Sequence, residues 1–158
     1  MKSREHTCCF FGHRKIDVTE ELVSRLEGVI EDLVIKEEIN TFLFGSKSEF
    51  DGLCLNVVAE LKKKYPHIIR IYVRAEFPYI NEEYTKYLLK MYDETYYPKG
   101  IIKAGKAVYV KRNFEMVDKS SCCVIYYDDN YVSTKQKSGT KVAYEYAVKK
   151  GLKIYNVR

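Results

Sequence analysis

Short apolar runs alternate with longer stretches of helical periodicity along the chain. Thr7 to Phe11 (TCCFF) is an apolar run closed by Gly12 and reads as the first strand. Val18 to Glu21 opens a helix, with Asp17 or Thr19 available as its cap and acidic residues in its first turn. Leu22, Val23, Leu26, Val29, Ile30, Leu33 and Val34 then recur at helical spacing and define one buried face. Thr41 to Phe44 (TFLF), closed by Gly45, is the second strand. A helix from Glu49 to Lys64 follows it, with Leu53, Val57, Val58 and Leu61 as the buried stripe and Pro66 as the stop. His67 to Val73 (HIIRIYV) is rich in β-branched residues and forms the third strand.

The second half continues the alternation. Asn81 to Met91 reads as a helix with Tyr84, Tyr87, Leu88 and Met91 on one side. Asp93 to Ile102 holds a short strand before Pro98-Lys99-Gly100 turns the chain. Lys106 to Lys119 is helical with Val110, Phe114 and Val117 inward, and it carries the polar pair Arg112 and Asn113, for which a solvent-facing place is the plain alternative to a contact with ligand. Cys122 to Tyr127 is a buried strand and Asp128 to Lys137 a polar loop. The helix Lys141 to Lys150 ends at Gly151, the residue type expected just past a helix, and Ile154 to Val157 is the last strand. Strand–helix repetition of this kind predicts one α/β domain: a three-layer sandwich with a mostly parallel sheet, right-handed crossovers and helices on both faces.

Composition narrows the class. The chain has 158 residues, 46% hydrophobic and 31% charged, the balance of a single globular domain. No apolar stretch approaches the roughly 18 residues that span a bilayer, and no secretory signal is evident in MKSREHT, so cytoplasm is the expected location. The five cysteines are Cys8, Cys9, Cys54, Cys122 and Cys123. An odd count in a chain without an export signal argues against disulfides, and no spacing suits zinc. They read as small core hydrophobes; no metal and no cofactor is expected. The net charge of +5 suits an anionic ligand, but the lysines are dispersed, which weighs against nucleic acid.

In an open parallel sheet, ligands bind beyond the carboxyl ends of the strands, where connections diverge. That rule selects Gly12-His13-Arg14, Gly45-Ser46-Lys47-Ser48, the segment after the third strand, and Asp128 to Thr140. Ser138-Gly139-Thr140 and Gly45-Ser46 each offer small residues followed by a helix, whose first amides favour an anion. An ordinary helix cap would look the same in sequence. Arg14 could grip a phosphate or carboxylate, and His13 could act as an acid, a base or a plain hydrogen-bonding group. Asp51 and Glu145 are the carboxylates weighed as bases. Neither G-x-x-x-x-G-K-[ST] nor G-x-G-x-x-G is present, which argues against a P-loop NTPase or a standard dinucleotide dehydrogenase.

The segments also carry a resemblance. Cys8 to Arg14 (CCFFGHR) resembles the "CCFTGHR" opening of small bacterial and phage proteins of the SLOG superfamily, which includes the LOG phosphoribohydrolases and the DNA-processing protein DprA. Phe50-Asp51 is similar to its "GFD", Arg112-Asn113 with Met116-Val117-Asp118 to its "RN..MVD", and Ser138 to Ala147 to its "SGGT..A..YA" ending. The resemblance implies a Rossmann-like fold and a pocket for nucleotides or nucleotide-derived molecules such as ADP-ribose. It implies that Gly12 and Arg14, on either side of His13, line the pocket and that Gly45 and Ser46 form a second loop. It further implies that Arg112 and Asn113 add polar contacts, that Ser138, Gly139 and Thr140 hold phosphate, and that the chain is a homodimer. The likeness departs where small residues become Lys47 and Glu49, and where the LOG glutamate is replaced by Val142 and Ala143. Three functions follow: binding or sensing of a nucleotide-derived ligand, a LOG-type nucleoside-monophosphate hydrolase, and a DprA-like nucleic-acid binder. The missing glutamate favours the first.

Overall fold

A computed structural model describes residues 3–75, 82–101, 104–130 and 139–158. Six strands form one sheet: β1 (Thr7–Gly12), β2 (Thr41–Phe44), β3 (Ile69–Val73), β4 (Glu94–Tyr96), β5 (Cys122–Tyr126) and β6 (Lys153–Asn156). Their order is β4-β3-β2-β1-β5-β6, and every neighbouring pair is parallel. The helices are α1 (Glu20–Lys36), α2 (Glu49–Lys64), α3 (Glu82–Leu88), α4 (Val108–Asp118) and α5 (Gly139–Lys149). This is the three-layer, Rossmann-like α/β arrangement expected from the alternating pattern.

Alternation along the strands sends successive side chains to opposite faces. Cys8, Phe10, Phe42, Phe44, Tyr72, Cys122 and Val124 face α1, α2 and α3, where Leu26, Ile30, Val58 and Leu88 complete one core. Cys9, Phe11, Leu43, Ile71, Val73, Cys123 and Ile125 face the other way and pack on Met116 and Val117 of α4 and Ala143 and Ala147 of α5. The paired cysteines are therefore split between the two cores. Cys8 lies in register with Cys122 and Cys9 with Cys123, and all five thiols are free and buried. Burial pushes the Cys8, Cys9 and Cys54 thiols well up.

Local signals set several boundaries. The hydroxyl of Thr19, not Asp17, caps α1 by accepting the Leu22 N–H at 3.1 Å. Gly151 follows α5 with φ of +76°, a conformation costly for any residue with a Cβ.

Helix α4 departs from the expected face. Its buried residues are Val108, Arg112, Met116 and Val117, whereas Val110 is 36% exposed and Phe114 only half-buried. The expected inward stripe through Val110 and Phe114 is thus rotated around the helix, and Arg112 does not face solvent. The reason is that an arginine occupies a core position, which hydropathy cannot signal. Helix α5 begins at Gly139 rather than Lys141, so Thr140 lies within its first turn. Asn81, the expected start of α3, and Ser138 lie outside the described residues.

Candidate functional site at the carboxyl edge of the sheet

Strand β1 is the point where the order of the sheet reverses: β2, β3 and β4 lie on one flank and β5 and β6 on the other. The helices that follow β1 and β5 pack on opposite faces of the sheet, the arrangement that opens a crevice in this class of fold. Gly12 is in register with Tyr126, and directly beyond them His13 is buried. The His13 Nε2 accepts the Asp128 N–H at 2.9 Å, joining the two loops. An accepting Nε2 requires a neutral ring, consistent with burial holding the imidazole below its ordinary 6.5. The β5 loop is tied from the other side too. Asn156 exchanges hydrogen bonds with the Tyr127 backbone at 3.2 and 3.0 Å, and Arg158 pairs with Asp128 at 3.1 Å.

Arg14 follows His13 at this junction and is exposed. Among the described residues its guanidinium has no hydrogen-bonding or ion-pair partner, while its backbone is fixed: the Arg14 carbonyl accepts the Glu49 N–H at 2.9 Å. Glu49 answers by accepting the Ile16 N–H at 2.7 Å. The glutamate that departs from the family's small residues therefore locks the β1–α1 loop onto the start of α2.

The loop after β2 is closed by the protein's own groups. Asp51 is buried, and its Oδ2 accepts the N–H of Ser46 at 3.1 Å and of Gly45 at 3.3 Å. The Ser48 hydroxyl accepts the Asp51 N–H at 3.0 Å, and the Ser48 N–H donates to the Ser46 hydroxyl at 3.3 Å. An internal carboxylate thus sits where small residues and a helix start suggested phosphate. Burial pushes the Asp51 carboxyl up from 3.8 to about 7, against the opposing pull of the two amides and of Arg112, and among the described residues its second oxygen has no hydrogen-bond partner to offset that cost.

Both glycines here answer to packing. A Cβ on Gly12 would lie 2.3 Å from the Phe50 ring, and one on Gly45 would lie 2.7 Å from Arg112 Cδ and Met116 Sδ. Arg112 donates from Nη1 to the carbonyls of Gly45 and of Val73, the latter at 3.3 Å, and from Nε to Asn113 Oδ1 at 2.8 Å. It pins the ends of β2 and β3 from beneath instead of presenting its guanidinium to open solvent.

At the remaining corner, α5 packs on β1 and β5 through Ala143 and Ala147, and Tyr144 stacks on Tyr127 with ring centres 5.0 Å apart. Gly139 is exposed and Thr140 is buried at the start of that helix. Glu145 is exposed on α5. The structure therefore gathers Gly12, His13 and Arg14 with the β5 loop, and Gly45 and Ser46 with Arg112 and Asn113. Asp51, Phe50 and Glu49 as organisers of the loops escaped the sequence reading. The spacing Ser48-x-x-Asp51, a helix-cap pattern, was the available signal.

The chain matches the family YpsA, described as the YspA SLOG family, over residues 4–158. It belongs to this SLOG family. Membership places the chain among nucleotide-related proteins of Rossmann-like fold, and the motifs that fall on β1, α2, α4 and α5 are those through which the SLOG resemblance was carried. No curated protein matches the chain. Among the described residues of this SLOG-family chain, no helix is long and apolar enough to cross a membrane.

Proposed function

We propose that the protein binds a phosphate-bearing, nucleotide-derived ligand, of the ADP-ribose or nucleoside-phosphate kind, in the crevice where the β1 and β5 loops diverge. The observation that carries this reading is Arg14: an exposed guanidinium without a partner among the described residues, on a backbone fixed through Glu49, at the switch point of the sheet. A guanidinium suits phosphate because its N–H groups form a planar fork. The first turn of α5, with Gly139 and Thr140 after Ser138, supplies the complementary amides and hydroxyl. Because Asp51 occupies the amides of Gly45 and Ser46, the β2 loop shapes the crevice and leaves the phosphate to the β1 and α5 side.

Binding is favoured over glycosidic hydrolysis by the position of the two candidate carboxylates. Asp51 is buried and committed to the loop amides, and Glu145 lies later in α5 than the positions of the LOG glutamate, which hold Val142 and Ala143. A hydrolase of the LOG type needs a carboxylate at the sugar. Thermal-shift measurements with ADP-ribose, AMP, NAD and a single-stranded oligonucleotide test the reading. A nucleotide should raise the melting temperature, with no free base released on incubation. Arg14→Ala and Thr140→Val should each remove the shift; retention of the shift in both would overturn the assignment, and release of free base would make the protein a hydrolase.

A further inference from the structure

On the β3 side of the β2–α2 loop lies a hollow of about 250 Å³. Four tyrosines line it. Tyr72 and Tyr92 are nearly buried, with ring centres 5.1 Å apart, and Tyr84 and Tyr87 on α3 stand near-parallel at 18° and 6.3 Å. Lys47 closes the loop side, its ammonium 5.6 Å from the centre of the Tyr84 ring. The hydroxyls of Ser46 and Ser48, bonded to each other at 3.0 Å, complete that wall.

This lining has a chemical preference. Aromatic faces bind flat rings by stacking, and they do so whatever the identity of the base. Tyr87 is 54% exposed, so a ring laid on it would cover apolar surface that α3 otherwise leaves in water. The volume lies just below the range of roughly 300–1,000 Å³ typical of drug-sized sites, which suits one ring system with its sugar better than a long chain. Lys47, the residue that departs from the family pattern, puts a positive charge beside those faces. The hollow lies beside β3 and the proposed phosphate site beside β1, two places apart in the strand order and therefore roughly 10 Å.

We infer that this hollow is the base subsite: it receives the planar heterocycle of the ligand, stacked on the exposed face of Tyr87, with Tyr84 and Lys47 forming the wall behind it. The inference rests on the nucleotide reading above for the identity of the ring. Calorimetric titration with ADP-ribose, ribose 5-phosphate and adenosine separates the two. The wild type should bind ADP-ribose more tightly than ribose 5-phosphate. Tyr87→Ala should weaken ADP-ribose on the order of tenfold and leave ribose 5-phosphate unchanged, while Tyr87→Phe, which keeps the ring, should bind as the wild type does. Equal affinities for ADP-ribose and ribose 5-phosphate, or an unchanged Tyr87→Ala, would overturn the subsite while sparing the phosphate site. Adenosine binding that depends on Tyr87, without binding of ribose 5-phosphate, would keep the subsite and overturn the phosphate site. Failure of all three ligands would overturn both.

Discussion

Replacing Asp51 by asparagine tests whether a buried carboxylate organises the β2 loop. In the folded protein its Oδ2 accepts two backbone amides, its other oxygen has no hydrogen-bond partner among the described residues, and burial raises the carboxyl from 3.8 to about 7. The unfolded chain keeps the ordinary value. A pKa raised on folding means that the folded state holds the proton more tightly. The stabilising contribution is then complete below pH 3.8, declines as pH rises towards 7, and levels off above it. Each unit of the gap corresponds to about 1.4 kcal/mol, so the full gap is on the order of 4 kcal/mol and about 2 kcal/mol of it is lost between pH 5 and pH 7. The asparagine side chain would offer a carbonyl to the same two amides without a charge. Urea unfolding of both proteins at pH 5, 6, 7 and 8 isolates the effect, because the other titrating groups cancel in the difference. The Asp51→Asn protein should gain on the wild type by about 2 kcal/mol from pH 5 to pH 7, with little further change by pH 8. A constant difference across that range would refute the argument that Asp51 is charged at the expense of stability.

Other outcomes follow from the same geometry. Gly12→Ala forces a methyl to within 2.3 Å of Phe50 and should cost about 3 kcal/mol in urea unfolding, with Phe50→Leu in the same chain restoring part of it. Arg112→Met keeps the stem but strips the donors from the Gly45 and Val73 carbonyls; a loss of about 3 kcal/mol is expected from the melting curve. The His13 ring has its pKa lowered chiefly by burial, so its contribution is present above the ordinary 6.5 and lost as pH falls through the lower folded value. Protonation removes the acceptor of the Asp128 N–H, and exchange of that amide, corrected for its intrinsic rate, should accelerate on acidification, an effect absent from a His13→Asn variant.

Much of the fold was legible in the sequence because its signals are local. β2 and α2 fall where the apolar run TFLF, Gly45 and the Leu53–Val57–Leu61 spacing put them, and Gly151 marks the end of α5. The order of helices and strands and the parallel sheet follow from strand–helix repetition, and the same repetition directs the search for a site to the carboxyl edge. Much of the site lay beyond that reading. Hydropathy assigns Arg112 and Asp51 to solvent, yet both are buried, and they meet across the β2 loop although 61 positions separate them in the chain.

What the chain dictates by itself is which segments form helices and strands and which glycines close them, since those depend on backbone conformation and on apolar period within a few residues. Packing decided the rest. The strand order brings Gly12 against Tyr126 and carries His13 to Asp128, contacts between segments more than a hundred positions apart. It also seats a carboxylate on the amides of Gly45 and Ser46 and leaves Arg14 exposed beyond the end of β1. The physical reason is that a buried charge is tolerated where fixed dipoles and an opposite charge surround it, and those partners come from elements that the chain brings together only on folding.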